Sequence, residues 1–361
     1  MRHVRGRCTQ GGMLQCINRC AMHCVRKNCA RVAAMHPGGA VSSTRSRFHA
    51  FACVIALLLV VTIAQTAPAS ARSLTRVSFP SIDRDETGAV VQIEAMLLVP
   101  DGPVPSGGYP AIVALHGCSG MYSIAKGRED HLADRLAVRV EMLLGDGYAV
   151  LLPDSFRSRG RNEVCTIKTG DNPITPTRRR LDALGALAYL ADRSDIAHDR
   201  IALVGWSHGG STALATVNVR DREVAAFRDK AGAPPFFRAV VALYPGCKVS
   251  LGAGDRWQPG APTRIHIGES DDWTPAKPCV ELGQAMAARG EPLKVIVYPD
   301  SHHGFDAPSG DVVHRTDVPN GVNPGHGVHV GANPAAREKA NAKVRAFLND
   351  RLRGADDSKQ H

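Results

Sequence analysis

The sequence predicts one α/β domain over residues 72–361, with a mostly parallel, doubly wound sheet and helices on both of its faces. Short apolar runs alternate with segments whose apolar residues recur at helical spacing, which is typical of wound α/β domains. The strand-like runs are apolar on both sides, as in a parallel sheet that is covered on both faces. No linker, repeat or low-complexity tract divides these residues, so we expect a single domain.

Each predicted strand is a run of four to eight residues rich in aliphatic side chains. In chain order the strands span residues 92–99, 111–116, 148–152, 201–204, 239–244, 264–267 and 293–298. The predicted helices span residues 129–144, 178–192, 279–288 and 335–352. In the second helix, apolar residues from Leu181 to Leu190 recur three or four positions apart and form a buried stripe. A further short helix of small residues is expected after strand 201–204.

The charge is distributed unevenly along the chain. The formal net charge is +10, but residues 1–71 contain nine Lys or Arg residues and no Asp or Glu, which leaves +1 for residues 72–361. The basic character therefore belongs to the leader. We expect no nucleic-acid partner for the folded domain, because such a partner needs a basic surface.

Residues 35–71 have the pattern of a secretory signal peptide. Arg45 and Arg47 precede an uncharged apolar run over residues 51–63, and small residues follow at 67–71. The run is shorter than the roughly 20 residues that span a bilayer, so we expect no stable membrane span after cleavage. The domain would be exported to the periplasm or secreted. An uncleaved anchor is the alternative.

Residues 1–34 precede this signal and are interpreted as an upstream extension that is not native to the protein, with Met35 as the true start. Cys16, Cys20 and Cys24 are spaced so that they could lie on one helix face and bind a metal. The paired C-x2-C pattern of most such sites is absent, so the extension remains the preferred interpretation.

Four cysteines remain in the exported part: Cys118, Cys165, Cys247 and Cys279. An even number in an oxidising compartment predicts disulfides. Four cysteines allow three pairings. We favour Cys247 with Cys279, because both are expected at the same end of the sheet; four buried free thiols are the alternative.

The segment Gly205-Trp206-Ser207-His208-Gly209 follows an apolar strand and precedes a run of small residues. This layout is that of a nucleophile elbow, a sharp turn that lifts a serine above the sheet edge. Gly205 and Gly209 suit it, because a Cβ at either position would collide with neighbouring backbone. The alternative is a tight β-α turn with a surface serine.

A nucleophilic serine needs a histidine base and a carboxylate that orients the histidine. The sequence offers both after later strands, in the order Ser, Asp, His. Asp271 and Asp272 follow strand 264–267, and His302 and His303 follow strand 293–298. Only one member of each pair can face the serine, and the residues themselves leave both choices open.

Ester attack also creates an oxyanion, which needs preorganised N–H donors. One is expected from His208, directly after the serine, and another from Cys118 in the loop after strand 111–116. We interpret His116 as a residue that shapes this loop. Cys118 as a nucleophile is the less favoured alternative, because no base lies near it in sequence.

Four motifs in order resemble the dienelactone hydrolase family: the His116-Gly117-Cys118 loop, the elbow at Ser207, Gly268 to Pro275, and Tyr298 to Phe305. The resemblance covers most of residues 85–352. It implies the α/β-hydrolase fold, Asp271 as the acid and His303 as the base. The chain departs from the family at the nucleophile, where dienelactone hydrolases proper carry cysteine, and in its export, since they are cytoplasmic.

The expected function is therefore an exported serine hydrolase that cleaves a small-molecule carboxylic ester or lactone through an acyl-enzyme. We expect no metal and no other cofactor, because the sequence contains no metal or nucleotide motif. Two alternatives are a peptidase or amidase with the same triad, and a non-catalytic binding protein with this fold.

A polar stretch over residues 306–333 contains His314, His326 and His329. It is expected to be a loop beside the site rather than a zinc site. Arg157 is interpreted as an ordinary surface arginine, and a role in binding a substrate carboxylate is the alternative.

Overall fold

The computed structural model describes residues 73–353, and the predicted extension and signal peptide lie outside this range. Eight strands form one sheet: β1 Ser73–Arg84, β2 Val90–Val99, β3 Tyr109–Leu115, β4 Ala149–Pro153, β5 Ile196–Trp206, β6 Ala239–Leu243, β7 Thr263–Gly268 and β8 Leu293–Tyr298. Their spatial order is β1-β2-β4-β3-β5-β6-β7-β8. Strands β3 to β8 are parallel, whereas β2 runs antiparallel to both β1 and β4.

Seven α-helices are found in the described residues: α1 Asp134–Gly145, α2 Pro176–Ala191, α3 His208–Thr216, α4 Arg222–Asp229, α5 Lys248–Gly252, α6 Ala276–Ala288 and α7 Pro334–Leu352. A small hairpin of β9 Val313–Arg315 and β10 Val328–Val330 lies between β8 and α7. Within residues 73–353, no helix is both long enough and apolar enough to cross a membrane.

The centre of the sheet is covered on both faces. Every residue of β3, β4 and β6 is buried, including successive residues whose side chains point to opposite faces. Only layers on both sides of a sheet produce this pattern. The prediction of a mostly parallel α/β sheet is therefore confirmed.

The predicted elements match the observed ones most closely at the sheet centre. Strand β1 was not predicted, because it lies at the sheet edge and its exposed and buried residues are mixed. The helix predicted from residue 129 begins at Asp134 instead. Helices α4 and α5 were also not predicted, because each is short.

Two disulfides brace the loops above the sheet. Cys118 pairs with Cys165, and Cys247 pairs with Cys279. The favoured Cys247–Cys279 pairing is confirmed. The first disulfide links the loop after β3 to the segment between β4 and α2, and the carbonyl of Cys118 also accepts a hydrogen bond from the Val164 N–H at 2.8 Å.

Candidate active site

The turn between β5 and α3 holds Ser207 in a strained backbone conformation, with φ 55° and ψ −117°. A Cβ on Gly205 would lie 2.1 Å from the Gly209 carbonyl oxygen, and one on Gly209 would lie 2.1 Å from the Leu115 carbonyl oxygen. Both positions therefore require glycine. The Ser207 N–H donates to the Leu243 carbonyl at 2.9 Å, which fixes the turn to β6.

Three side chains from three loops meet at this turn. His303 Nε2 lies 2.8 Å from Ser207 Oγ, and His303 Nδ1 lies 2.9 Å from Asp271 Oδ2. These residues follow β5, β8 and β7, whose carboxyl ends share one edge of the sheet. His303 and Asp271 are buried, and Ser207 is half-buried. The serine proton can pass to Nε2, while the carboxylate holds the proton on Nδ1.

Asp271 is fixed by its own turn. The N–H groups of Trp273 and Thr274 donate to its Oδ1 at 3.0 and 2.7 Å. The Thr274 hydroxyl lies 3.1 Å from Oδ2 and 3.0 Å from the Tyr244 carbonyl. Asp272 could not make the same pair of bonds, because the residue three positions after it is Pro275, which has no N–H. The proline at position 275 is thus a sequence signal that distinguishes the two acids.

The Asp272 carboxylate contacts His329 and not His303. Its two carboxylate oxygens accept the backbone N–H of His329 at 2.8 Å and contact His329 Nδ1 at 2.7 Å. His302 also points away from the serine, toward His329, with 5.6 Å between ring centroids. Of each adjacent pair, the structure thus brings Asp271 and His303 to Ser207, and it does not bring Asp272 or His302.

Aromatic rings hold the His303 imidazole from two sides. The ring centroids of Tyr244 and Trp273 each lie 4.7 Å from that of His303. The Tyr244 hydroxyl donates to the buried carboxylate of Asp306 at 2.8 Å. Burial holds the pKa of Tyr244 well above its usual range, so the hydroxyl keeps its proton for this bond.

The predicted oxyanion donors lie on either side of the serine. His208 is the first residue of α3. A Cβ placed on Gly117 would be 3.5 Å from Ser207 Cβ, so the loop that carries Cys118 passes directly against the serine. Neither the Cys118 nor the His208 N–H donates to another group within residues 73–353. Because Cys118 is in a disulfide, it is not a free thiol nucleophile.

His116 begins the same loop and is buried. Burial, together with the charge of Arg179, holds its pKa well below the usual range, so the ring is neutral. Its Nδ1 lies 2.8 Å from the Gly117 carbonyl, and its ring packs edge-on against Phe156. These contacts fix the loop, as its interpretation as a loop-shaping residue requires.

A cleft of about 890 Å³ opens beside Ser207, with Cys118, His208, Trp273 and Thr274 in its lining. Arg157 is not among the lining residues; its guanidinium stacks 3.7 Å over the Tyr122 ring and donates to the Glu129 carbonyl. The geometry therefore does not favour Arg157 as a ligand for a substrate carboxylate.

The polar stretch over residues 306–333 lies beside the site. His303 forms an isolated parallel bridge with Val330 in β10, and its carbonyl accepts the Gly331 N–H at 3.2 Å. His314 stacks on His329 with 4.7 Å between centroids. In the part of the chain that the structure describes, no group of three or more His, Cys, Asp and Glu side chains is placed to hold a metal ion.

This strand order, with a serine on a strained turn after β5, is that of the α/β-hydrolases. More specifically, the chain belongs to the dienelactone hydrolase family, whose profile matches residues 93–352. The family resemblance seen in the sequence is confirmed. The chain is accordingly a hydrolase of the carboxylic ester class.

Solved structures agree with the fold. The dienelactone hydrolase-like promiscuous phosphotriesterase P91 from metagenomic libraries is similar at 18% identity and a TM-score of 0.52, over 78% of this chain and 99% of that one. Esterase 2 from Thermogutta terrifontis, phosphoramylated by tabun, is similar at 15% identity and a TM-score of 0.50, over 80% and 96%. No curated protein matches the chain in sequence.

Proposed function

We propose that this protein is a serine esterase in which Ser207 is the nucleophile, His303 the general base and Asp271 the residue that orients the imidazole. The proposal rests on one arrangement: the two nitrogens of His303 contact Ser207 Oγ and Asp271 Oδ2 at 2.8 and 2.9 Å. A base must lie within hydrogen-bond reach of the proton that it takes, and this one does.

The reaction has two halves. Ser207 Oγ attacks the ester carbonyl carbon while its proton moves to His303 Nε2, and the carbonyl oxygen becomes an oxyanion that the N–H groups of Cys118 and His208 stabilise. Nε2 then gives the proton to the leaving alkoxide, and the acyl group stays on Oγ. A water then attacks the acyl carbon while the same nitrogen takes its proton. The acid is released, and the proton passes from Nε2 back to Ser207 Oγ.

The substrate is a small carboxylic ester or lactone that fits the cleft of about 890 Å³. No step uses a metal or another cofactor. A hydroxyl depends on its base more than a thiol does. With serine in place of the family's cysteine, catalysis therefore needs the complete triad.

Assays on p-nitrophenyl butyrate test the assignment. Ser207→Ala and His303→Ala are each expected to lower kcat by about 10⁴-fold or more, as loss of a triad member does. His302→Ala is the matched control, because it removes a neighbouring imidazole that does not contact the serine, and it should stay within a few-fold of the parent. Ser207→Ala retaining parental activity would exclude Ser207 as the nucleophile.

Parallel assays on p-nitroanilides separate an esterase from an amidase. A fluorophosphonate that fails to label Ser207 would indicate a binding protein.

We further propose that residues 35–71 are removed on export and that residues 72–361 form the mature periplasmic or secreted domain. The two disulfides support an oxidising compartment. Expression from Met35, followed by fractionation and mass determination of the exported chain, tests this. A mature chain that begins near residue 72 is expected; a full-length chain held in the membrane fraction would show an uncleaved anchor instead.

A further inference from the structure

Behind the predicted oxyanion donors lies a buried arginine without a carboxylate partner. Arg179, in the first turn of α2, has no exposed surface. No carboxylate of the described residues lies within ion-pair distance of it, whereas its neighbours Arg178 and Arg180 both form ion pairs. Its Nε and Nη2 are buried and make no hydrogen bond within residues 73–353.

The nearby acids are occupied by other groups. Asp182 accepts bonds from Arg159 and from the Ser81 hydroxyl, and Asp154 accepts the N–H groups of Phe156 and Arg157. Burial lowers the pKa of Arg179 to about 10, which is still far above neutral pH. The guanidinium therefore carries its positive charge inside the protein.

Both hydrogen bonds that the Arg179 side chain makes within residues 73–353 go to the segments that carry the predicted oxyanion donors. Its Nη1 donates to the His116 carbonyl at 3.1 Å and to His208 Nδ1 at 3.0 Å. The first acceptor belongs to the loop that carries Cys118, and the second belongs to the residue that follows Ser207. One nitrogen thus joins the two segments that supply the predicted N–H donors. The guanidinium also stacks on Phe156, 4.8 Å from the ring centroid.

The two imidazoles around Arg179 are suited to this role. Burial, reinforced by Arg179, holds the pKa of His208 well below its usual range. The ring is then neutral and Nδ1 can accept the guanidinium proton. Since His116 is neutral for the same reasons, Arg179 is the cationic member of this cluster.

A buried charge that lacks an ionic partner is expensive, and replacing it with a hydrophobic residue is often neutral or stabilising. A costly group of this kind is typical of functional sites, where stability is given up for activity. We propose that Arg179 is a positioning residue for the esterase reaction: it fixes the spacing of the two oxyanion donors and places a positive charge behind them. This inference rests on the proposed function.

The charge acts on the transition state more than on the bound ester. An ester carbonyl is neutral in the ground state and becomes an oxyanion only after attack. A cation behind the donors therefore stabilises mainly the oxyanion. Arg179 does not touch the substrate. Its effect should therefore be smaller than the 10²- to 10³-fold loss that follows removal of a direct donor, and we expect about 10- to 100-fold.

The test compares Arg179→Met, Arg179→Lys and the matched control Arg178→Met in the mature chain. With p-nitrophenyl butyrate, Arg179→Met should lower kcat 10- to 100-fold with KM within about threefold. An alkyl trifluoromethyl ketone forms a tetrahedral oxyanion on serine, and its inhibition constant for Arg179→Met should rise by the same factor as kcat/KM falls.

The Tm of Arg179→Met should equal or exceed that of the parent. Arg179→Lys, which keeps the charge, should recover part of kcat, and Arg178→Met should stay within about threefold.

Other outcomes overturn the inference. A folded Arg179→Met protein with parental kcat would do so, as would a lowered Tm with unchanged binding of the trifluoromethyl ketone, since a merely structural role predicts that combination. If Arg179→Met does not fold, Arg179→Gln, which removes the charge and keeps an N–H donor, takes its place, and a folded Arg179→Gln protein with parental kcat and parental ketone affinity decides against the inference. Failure here leaves the proposed function intact as long as Ser207→Ala is inactive, so the two results are separable.

Discussion

The indole Nε1 of Trp206 donates a hydrogen bond to Asp306 Oδ2 at 3.1 Å. Trp206 immediately precedes Ser207, and Asp306 lies three residues after His303, so this bond ties the serine turn to the histidine loop. Arg139 from α1 and the Tyr244 hydroxyl also donate to the same buried carboxylate. Asp306 is thus a common anchor for three elements around the site.

Asp306→Asn should destabilise the protein strongly, because it leaves the largely buried Arg139 guanidinium without its ionic partner. Breaking a buried pair from one side typically costs about 3–5 kcal/mol of unfolding free energy. Urea unfolding measures the loss. Asp317→Asn is the matched control: it breaks the exposed pair with Arg315 and should cost at most about 1 kcal/mol. Equal losses for the two variants would contradict the anchoring role.

The adjacent acids Asp271 and Asp272 should differ sharply in their contribution to catalysis. Asp271→Asn keeps the shape of the turn but loses the charge that holds the Nδ1 proton, and kcat should fall by about 10⁴-fold, as in serine proteases with this substitution. Asp272→Asn weakens only the contact with His329 and should leave kcat within about tenfold. Steady-state kinetics on one ester compares them. A larger loss for Asp272→Asn would reverse the assignment of the acid.

The two disulfides should have different effects on activity. The Cys118–Cys165 pair braces the loop of a predicted oxyanion donor, so replacing both cysteines with serine should lower kcat by about tenfold or more, because donor position governs transition-state binding. The Cys247→Ser/Cys279→Ser double variant is the control. The residues of each pair are 47 and 32 positions apart in the chain, so the two losses of stability should be similar, at about 2–4 kcal/mol. The control should show the smaller loss of kcat.

Acid should destabilise the protein partly through His266. Burial, followed by the charge of Arg264, lowers its pKa to about 3, and its Nδ1 contacts the Tyr298 hydroxyl at 2.7 Å. In the unfolded chain the imidazole titrates near pH 6.5, so between these values the unfolded state binds more protons and stability falls as the pH falls. From about pH 6.5 to 4.5 the loss should be about 2 kcal/mol.

Urea unfolding at several pH values in this range isolates that contribution. His266→Gln keeps a hydrogen-bond acceptor for Tyr298 and removes the titrating ring, so its stability should depend less steeply on pH than that of the parent. His198→Gln, which replaces an exposed histidine, should leave the slope unchanged. Identical slopes for His266→Gln and the parent would show that His266 is not responsible.

The parts of the fold that follow from local patterns could be predicted from the sequence. Strands β3, β4 and β6 are buried on both faces, and each was predicted to within two residues of its observed bounds. The edge strand β1 was missed, because half of its residues face water and its pattern is mixed. The strained turn at Ser207 was predictable because its two glycines are required by backbone contacts that a short motif records.

The site was less accessible to sequence analysis, because its partners are distant in the chain. The residues alone left Asp271 and Asp272 equivalent, and family resemblance chose between them; the missing N–H of Pro275 could have made the same choice. Nothing local distinguishes Arg179 from Arg178 and Arg180, since all three stand in one polar run at the start of a helix. Arg179 and Arg180 are both buried, and which of them faces the loop after β3 depends on where α2 meets that loop. Asp306 is likewise defined by contacts from β5, from α1 and from the residue after β6.

The Cys118–Cys165 crosslink would make the activity of the enzyme depend on the redox state of the chain. On the proposed export route, a newly made chain first meets a reducing cytosol, where the two thiols stay apart and the loop beside Ser207 lacks its brace. Most of the hydrolytic activity would then be gained after the chain has left, when oxidation closes the bond. Esters of the producing cell would be cleaved more slowly before export, and assays of the reduced and reoxidised chain would reveal that dependence.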